Sequence, residues 1–205
     1  MRTSHLPLRM NWLVPICCVV LALLLAMPST VSAATIFATT LTGANEVPPT
    51  GSPATGSSIV TLNGNILSVN ETFSGLIGGS AAAAHIHCCV PAGVNAAVAV
   101  PFTGFPAATS GTYVQSFDLT LLATYNGAFA TANGGTAASA EAALIAALNA
   151  GQTYANIHDA TFPGGEIRGQ LQRVPGPPTA ELLLLGLTTL IAVAWRRAKP
   201  LLHTR

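Results

Sequence analysis

Three histidines are the residues of the central sequence best suited to bind a metal ion. His85 and His87 are separated by one residue in a segment that alternates like a β-strand, so both imidazoles should point to the same face. Imidazole is a preferred ligand of copper and zinc. His158 ends another strand-like segment and is the candidate third ligand. Asp159 and Glu166 could add oxygen ligands or accept hydrogen bonds from the imidazoles. The pattern indicates one site for Cu or Zn.

The same histidines also fit a purely structural role. Neutral imidazoles can form a buried, hydrogen-bonded cluster that ties neighbouring strands together, with Glu166 or Arg168 as partners. Glu166 and Arg168 are themselves two residues apart, which is more typical of a cross-strand ion pair than of an acid/base couple. The sequence leaves both the metal site and the structural cluster open.

Catalysis finds little support in the sequence. A His-x-His strand in a β-domain faintly resembles Cu/Zn superoxide dismutase, but that enzyme uses more histidines than the three in this central segment. The sequence contains no nucleophile elbow, P-loop or dinucleotide-binding glycine pattern. We therefore expect a protein that is not an enzyme.

Two adjacent cysteines, Cys88 and Cys89, follow the histidines directly. The other two, Cys17 and Cys18, lie in an apolar N-terminal run that we expect to be removed. In an oxidising compartment the remaining pair favours a disulfide between neighbours, within a turn-like sequence. Pairing between two chains and thiolate ligation beside the histidines are the alternatives.

The distribution of charge argues against a nucleic-acid partner. Only 7% of the 205 residues are charged, and half are apolar. Residues 34–173 contain six acids and two bases, a net charge of −4, whereas the other bases flank the apolar ends. A domain of this charge has no electrostatic reason to hold a polyanion.

The N-terminus, residues 1–33, has the three parts of a secretory signal peptide. Arg2 and Arg9 form a basic region, residues 13–27 are an apolar run, and Val31 and Ala33 are the small residues that signal peptidase needs. We expect cleavage after Ala33; an uncleaved anchor is the alternative. The protein would then be exported to the cell surface or the extracellular space.

The C-terminus, residues 174–199, has a proline motif, a short apolar stretch and a basic cluster in that order. It resembles the PEP-CTERM sorting signal of Gram-negative bacteria, which the membrane protease exosortase recognises. Gly176 stands where that motif has Glu. The resemblance implies a transient inner-membrane anchor through a transmembrane helix; a permanent C-terminal anchor is the alternative.

Strand-like segments recur along residues 34–173 and predict an all-β fold. They are residues 35–41, 58–62, 66–73, 83–87, 96–100, 113–119, 153–158 and 166–171, with Asn63-Gly64 as a hairpin signal. Residues 139–150 are instead rich in helix formers. The pattern predicts an antiparallel β-sandwich of about eight strands with one short inserted helix.

Three motifs carry a family resemblance. Residues 41–49 (LTGANEVPP), 84–87 (AHIH) and the closing pair 154–158 (YANIH) and 163–171 (PGGEIRGQL) stand in this order. Together they resemble the CHRD domain, first named from repeats in chordin and widespread in exported bacterial proteins. The resemblance marks these positions as family motif residues: Glu46, Pro48, Gly164, Gly165, Glu166, Arg168 and Gly169.

Two functions remain open at this point. The first is a non-catalytic module of the cell surface or extracellular matrix, which would meet the export machinery, signal peptidase, an exosortase-type protease and a surface polysaccharide or matrix. The second is a small metal-binding or redox domain that uses His85, His87 and His158.

Overall fold

The computed structural model describes residues 34–176, 186–191 and 193. Within them nine β-strands and two short α-helices form one domain. The strands are β1 (Thr35–Thr42), β2 (Thr55–Asn63), β3 (Ile66–Ser74), β4 (Ala83–Cys88), β5 (Ala97–Pro101), β6 (Gly111–Asp118), β7 (Thr153–His158), β8 (Ile167–Gln170) and β9 (Gln172–Arg173). The helices are α1 (Gly127–Ala132) and α2 (Ala137–Asn149). All eight predicted strand segments are confirmed, with ends that differ by a few residues.

All the strands belong to a single antiparallel sheet. Its order is β5-β4-β7-β8-β1-β2-β3-β6, and the two-residue strand β9 pairs with β1 beside this path. The predicted β-sandwich is therefore wrong: the sheet curls into a half-barrel and does not divide into two layers. Alternation along the strands specifies one buried face in either architecture. The alternation does not reveal which strands pair. Here β8 pairs with both β7 and β1, and so joins β5-β4-β7 to β1-β2-β3-β6 in one sheet.

Apolar side chains at every second position fill the concave side of the curled sheet. On β3, the alternate residues Leu67, Val69, Glu71 and Phe73 are buried, and the residues between them are exposed or half-buried. Burial of alternate positions is what a strand with one core-facing side requires. One of these core-facing positions of β3 is occupied by an acid, Glu71, which is fully buried opposite the buried Ser58 of β2.

Aromatic rings connect the two open edges of the sheet, β5 and β6. The ring of Phe102, which follows β5, lies 5.3 Å from that of Tyr113 and 6.0 Å from that of Phe117, both on β6. The Tyr113 hydroxyl donates a hydrogen bond of 3.0 Å to the carbonyl of Thr103. The edges are thus joined by packing and one side-chain hydrogen bond, without a strand ladder between them.

Two helices precede β7, where the sequence predicted one. Helix α2 begins two residues before the predicted start, because Thr136 and Ser139 form a reciprocal capping box and Ser139 is inside the helix. Gly151, with a φ of +66°, follows the helix end as predicted for a C-terminal stop. The additional helix α1 is capped by Asn126, whose side chain accepts from the Ala128 amide.

The predicted signal peptide lies outside the described residues, and most of the predicted sorting signal does too. Of the latter, residues 174–176 have no regular structure, whereas residues 186–191 and 193 are helical. In the part of the chain that is described, no helix has the length and apolar character needed to cross a membrane.

Candidate metal centre

Strands β4, β7 and β8 carry a polar layer on the face opposite their core-facing apolar side chains. Because side chains alternate, Ala84, Ile86 and Cys88 of β4 point into the core, and His85 and His87 point outward. On the neighbouring strand β7, Tyr154, Asn156 and His158 lie on the same outward face. In the pairing of β4 with β7, His85 is opposite Asn156 and His87 is opposite Tyr154.

The structure brings together the three histidines that the sequence indicated as candidate metal ligands. One ring nitrogen from each of His85, His87 and His158 lies within 4.8 Å of the other two. The ring centroids are 5.5 Å apart for His85 and His87, 4.9 Å for His85 and His158, and 5.8 Å for His87 and His158. His87 is buried, and the other two are half-buried. The cluster therefore lies just below the protein surface.

Backbone carbonyls determine which nitrogen is protonated in two of the rings. Nδ1 of His87 lies 2.9 Å from the carbonyl oxygen of Ala96, and Nδ1 of His158 lies 3.0 Å from that of Pro163. A carbonyl can only accept, so each Nδ1 carries the hydrogen and each Nε2 keeps a free lone pair. In the described part of the protein, these two Nε2 atoms and Nδ1 of His85 are buried without a hydrogen-bond partner.

Burial keeps the imidazoles uncharged. It lowers the pKa of His85 to about 4, and the neighbouring His158 and His87 act in the same direction. Burial also lowers the pKa of His87 to about 4, against the opposing hydrogen bond to Ala96. The pKa of His158 is lowered by burial as well, with the Pro163 carbonyl opposing. At neutral pH all three rings are neutral and able to donate a lone pair.

An aromatic and cationic stack holds His87 in place. The ring of Tyr154 is parallel to that of His87, at 4.6 Å between centroids and 4° between planes. The guanidinium carbon of Arg168 lies 4.0 Å from the centroid of the same tyrosine. The amide of Ala96, whose carbonyl accepts from His87, also donates to the Tyr154 hydroxyl at 3.0 Å. Neither Tyr154 nor Ala96 was identified from the sequence, although Tyr154 is four residues from His158 on one strand face.

Arg168 and Glu166 have partners other than those considered from the sequence. Arg168 donates to the side-chain oxygen of Asn95 at 2.8 Å and to the carbonyl of Val94 at 3.2 Å. The Glu166 carboxylate accepts from the Ser52 hydroxyl at 2.6 Å and from backbone amides of the loop after β3. Neither makes a hydrogen bond to a histidine ring within the described residues.

The acidic residues near the cluster are occupied by local contacts. Asp159 accepts from the amides of Thr161 and Phe162, both at 2.8 Å. The pKa of Asp159 is raised, mainly by burial and by its contact with Glu166. Both carboxylates thus fasten the loops around the cluster, and neither belongs to the group of ligating atoms, which contains the three histidines alone.

Glu46 links the opening motif to this polar layer. Its carboxylate accepts from the side-chain amide of Asn156 at 2.6 Å. Burial raises the pKa of Glu46 to about 7, and the positive charge of Arg168 opposes that rise. Gly165 lies against the same pair: its φ is +123°, and a Cβ there would be 2.5 Å from Glu46 Oε1.

Five of the eight charged residues in residues 34–173 are buried, namely Glu46, Glu71, Asp159, Glu166 and Arg168.

The remaining family motif residues shape the turns and strands around the layer. Pro48 follows Glu46 in the loop that lines a cavity of about 420 Å³ with Gly164 and Gly165. Gly169 of β8 packs so closely against β1 that a Cβ would contact the backbone of Thr40. The motifs are distant in sequence, and the fold places Glu46 of the first motif next to Asn156 and Gly165 of the closing ones. A comparison with protein families matches the CHRD domain over residues 37–171. The chain belongs to the CHRD family.

The CHRD match includes all three histidines and all the motif residues named from the sequence. No curated protein and no solved structure showed significant similarity to the chain.

The two cysteines after His87 are joined to each other in the structure, Cys88 at the buried end of β4 and Cys89 exposed. They are thereby unable to act as thiolate ligands beside the imidazoles.

Proposed function

We propose that this CHRD protein is an exported, non-catalytic module of the cell surface or extracellular matrix. The observation that carries the proposal is the bond between Cys88 and Cys89. Disulfides persist in oxidising compartments and are rare in the cytosol. The signal-like residues 1–33 and membership of a family widespread in exported bacterial proteins support the same location.

The C-terminal segment would set where the exported domain ends up. Residues 174–199 would first hold the protein in the inner membrane, and an exosortase-type protease would then remove the tail. The order of proline motif, apolar stretch and basic cluster supports this step. The partners are the export machinery, signal peptidase, the sorting protease and a surface polysaccharide or matrix, and none is a nucleic acid.

Introducing the glutamate of the PEP-CTERM motif gives a sharp test of sorting. Gly176→Glu converts residues 174–177 into Val-Pro-Glu-Pro, so this variant should be processed at least as completely as the wild type in a host with exosortase. Deletion of residues 179–205 should move the domain from the membrane to the soluble exported fraction. Gly127→Glu, an exposed glycine with open space around it, controls for the added charge.

Intact-mass analysis and cell fractionation of these variants give the readout. A tail that stays on surface protein would contradict processing, and an unchanged membrane fraction after the deletion would contradict anchoring. Retention of residues 13–27 in the exported protein would show an anchor in place of a signal peptide. Dismutase activity above that of free metal would contradict the non-catalytic role.

A further inference from the structure

We propose that His85, His87 and His158 bind one divalent transition-metal ion, Zn²⁺ or Cu²⁺, through one ring nitrogen each. This site is additional to the proposed surface role and requires no catalysis. The sequence left it open whether the histidines bind a metal or form a hydrogen-bonded structural cluster. The hydrogen bonds and the burial of the unpaired nitrogens distinguish the two.

The first step is that one nitrogen of each histidine ring has no hydrogen-bond partner among the described residues. In a structural cluster, buried ring nitrogens would be satisfied by protein groups, because an unpaired buried polar atom loses its hydrogen bond to water and gains none in the protein. Here Nδ1 of His87 and Nδ1 of His158 donate to backbone carbonyls, while both Nε2 atoms are buried and unpaired within the described residues. His87 is only 7% exposed, so bulk water gives its Nε2 little compensation.

The second step is that this hydrogen-bond pattern is the one that metal-bound histidines show. A ligating imidazole donates its other N–H to a carbonyl, a carboxylate or water, which fixes the ring and directs the lone pair at the ion. Ala96 and Pro163 supply such carbonyls on two different loops. The Tyr154 ring stacked on His87 adds a further restraint on its orientation.

The third step is distance. Three nitrogens at about 2.0 to 2.1 Å from a tetrahedral ion lie about 3.4 Å from one another. The nitrogens here lie within 4.8 Å of each other, so the rings must draw together by at most about 1.4 Å. His85 and His158 are half-buried, and side-chain rotation provides such a shift.

The fourth step is the chemistry of the donors. The ligand group found in the described part of the chain consists of three imidazoles and includes no carboxylate or thiolate. Nitrogen donors favour zinc and copper over calcium and magnesium, which require oxygen ligands. Two of the three rings are only half-buried, which leaves the fourth position of the ion to water.

The experiment uses the unprocessed full-length chain with an affinity tag that contains no histidine. The apo protein is dialysed against Zn²⁺, Cu²⁺ or Mg²⁺ and analysed for bound metal by mass spectrometry. Paramagnetic resonance of the Cu²⁺ form reports nitrogen ligands, and the absorption of a Co²⁺ form reports tetrahedral geometry. We expect one Zn²⁺ or Cu²⁺ per chain, no Mg²⁺, and a higher melting temperature with the bound ion.

Variants separate this site from adventitious binding. His85→Ala and His158→Ala, at the half-buried positions, should each weaken binding at least tenfold, and the triple alanine variant should bind no ion stoichiometrically. His203→Ala, which removes a histidine outside the described residues, should bind like the wild type. If a variant fails to fold by circular dichroism, the wild-type stoichiometry and the nitrogen signal decide.

Two results would overturn the inference. One is a wild-type protein that melts at the same temperature in chelator and in saturating Zn²⁺ or Cu²⁺ and holds no stoichiometric ion. The other is a triple variant that binds as tightly as the wild type. Neither result bears on export or sorting, so the proposed function would stand or fall separately.

Discussion

Glu71 should make the domain lose stability as the pH rises, and its replacement by Gln should remove that loss. The side chain is 0% exposed on the core face of β3, and burial raises its pKa from 4.5 to about 8. An acid with a raised pKa binds its proton more tightly in the folded state than in the unfolded state. Below about pH 4.5 Glu71 is protonated in both states and does not change the stability of the domain. Between about pH 4.5 and 8 the stability falls as the pH rises.

The size of the effect follows from the shift. Each unit of pKa corresponds to 1.36 kcal/mol, so at pH 7 the buried acid destabilises the fold by about 3 kcal/mol. Glu71→Gln keeps the shape and cannot ionise. We expect the variant to match the wild type near pH 4 and to exceed it by about 3 kcal/mol at pH 7, or about 10 °C in melting temperature.

Urea unfolding followed by circular dichroism at pH 4, 5.5, 7 and 8 measures the difference. The matched control is Glu141→Gln, the same charge change on helix α2, which should alter stability by at most about 0.5 kcal/mol at every pH. A difference between Glu71→Gln and wild type that is equal at pH 5.5 and 8 would refute the reasoning. So would a variant less stable than wild type at pH 7.

Two further predictions concern the loops around the histidines. Gly165→Ala should lower the free energy of unfolding by about 2 to 4 kcal/mol in urea, because the φ of Gly165 is +123° and a Cβ there would press on Glu46 and Asn156. The control Gly164→Ala, which has open space around it, should lower that free energy by less than about 1 kcal/mol. Equal losses in the two variants would contradict this account. The exported protein should also show no free thiol at residues 88–89 by alkylation and mass spectrometry unless a reductant is added first, and alkylation without reductant would place the disulfide in doubt.

The strands were predictable because their signal is local. Alternation between apolar and polar residues and the Asn63-Gly64 turn depend on neighbours in sequence, and the β2–β3 hairpin forms where they indicate. The curled single sheet was not predictable in this way. It depends on which strands pair across long stretches of chain, as β4 does with β7.

The candidate site was predictable only in part for the same reason. The shared face of His85 and His87 follows from a spacing of two residues, but the approach of His158 requires the register of β4 against β7. Tyr154 stacks on His87 because of that register, and Ala96 contacts His87 from a loop. Neither contact can be predicted from the spacing of residues in the sequence. Glu71 did carry a local signal, since it occupies an apolar position in the alternation of β3.

The burial of Glu46, Glu71, Asp159, Glu166 and Arg168 has a consequence for how the outside of the domain behaves in solution. Only Asp118, Glu141 and Arg173 remain as charged side chains outside the buried set in residues 34–173. Hydroxyl, amide and small aliphatic groups therefore provide the hydration of the surface. Charge repulsion between copies, and its screening by dissolved ions, are correspondingly weak. Colloidal behaviour and contacts of this surface should accordingly change little between fresh and saline surroundings.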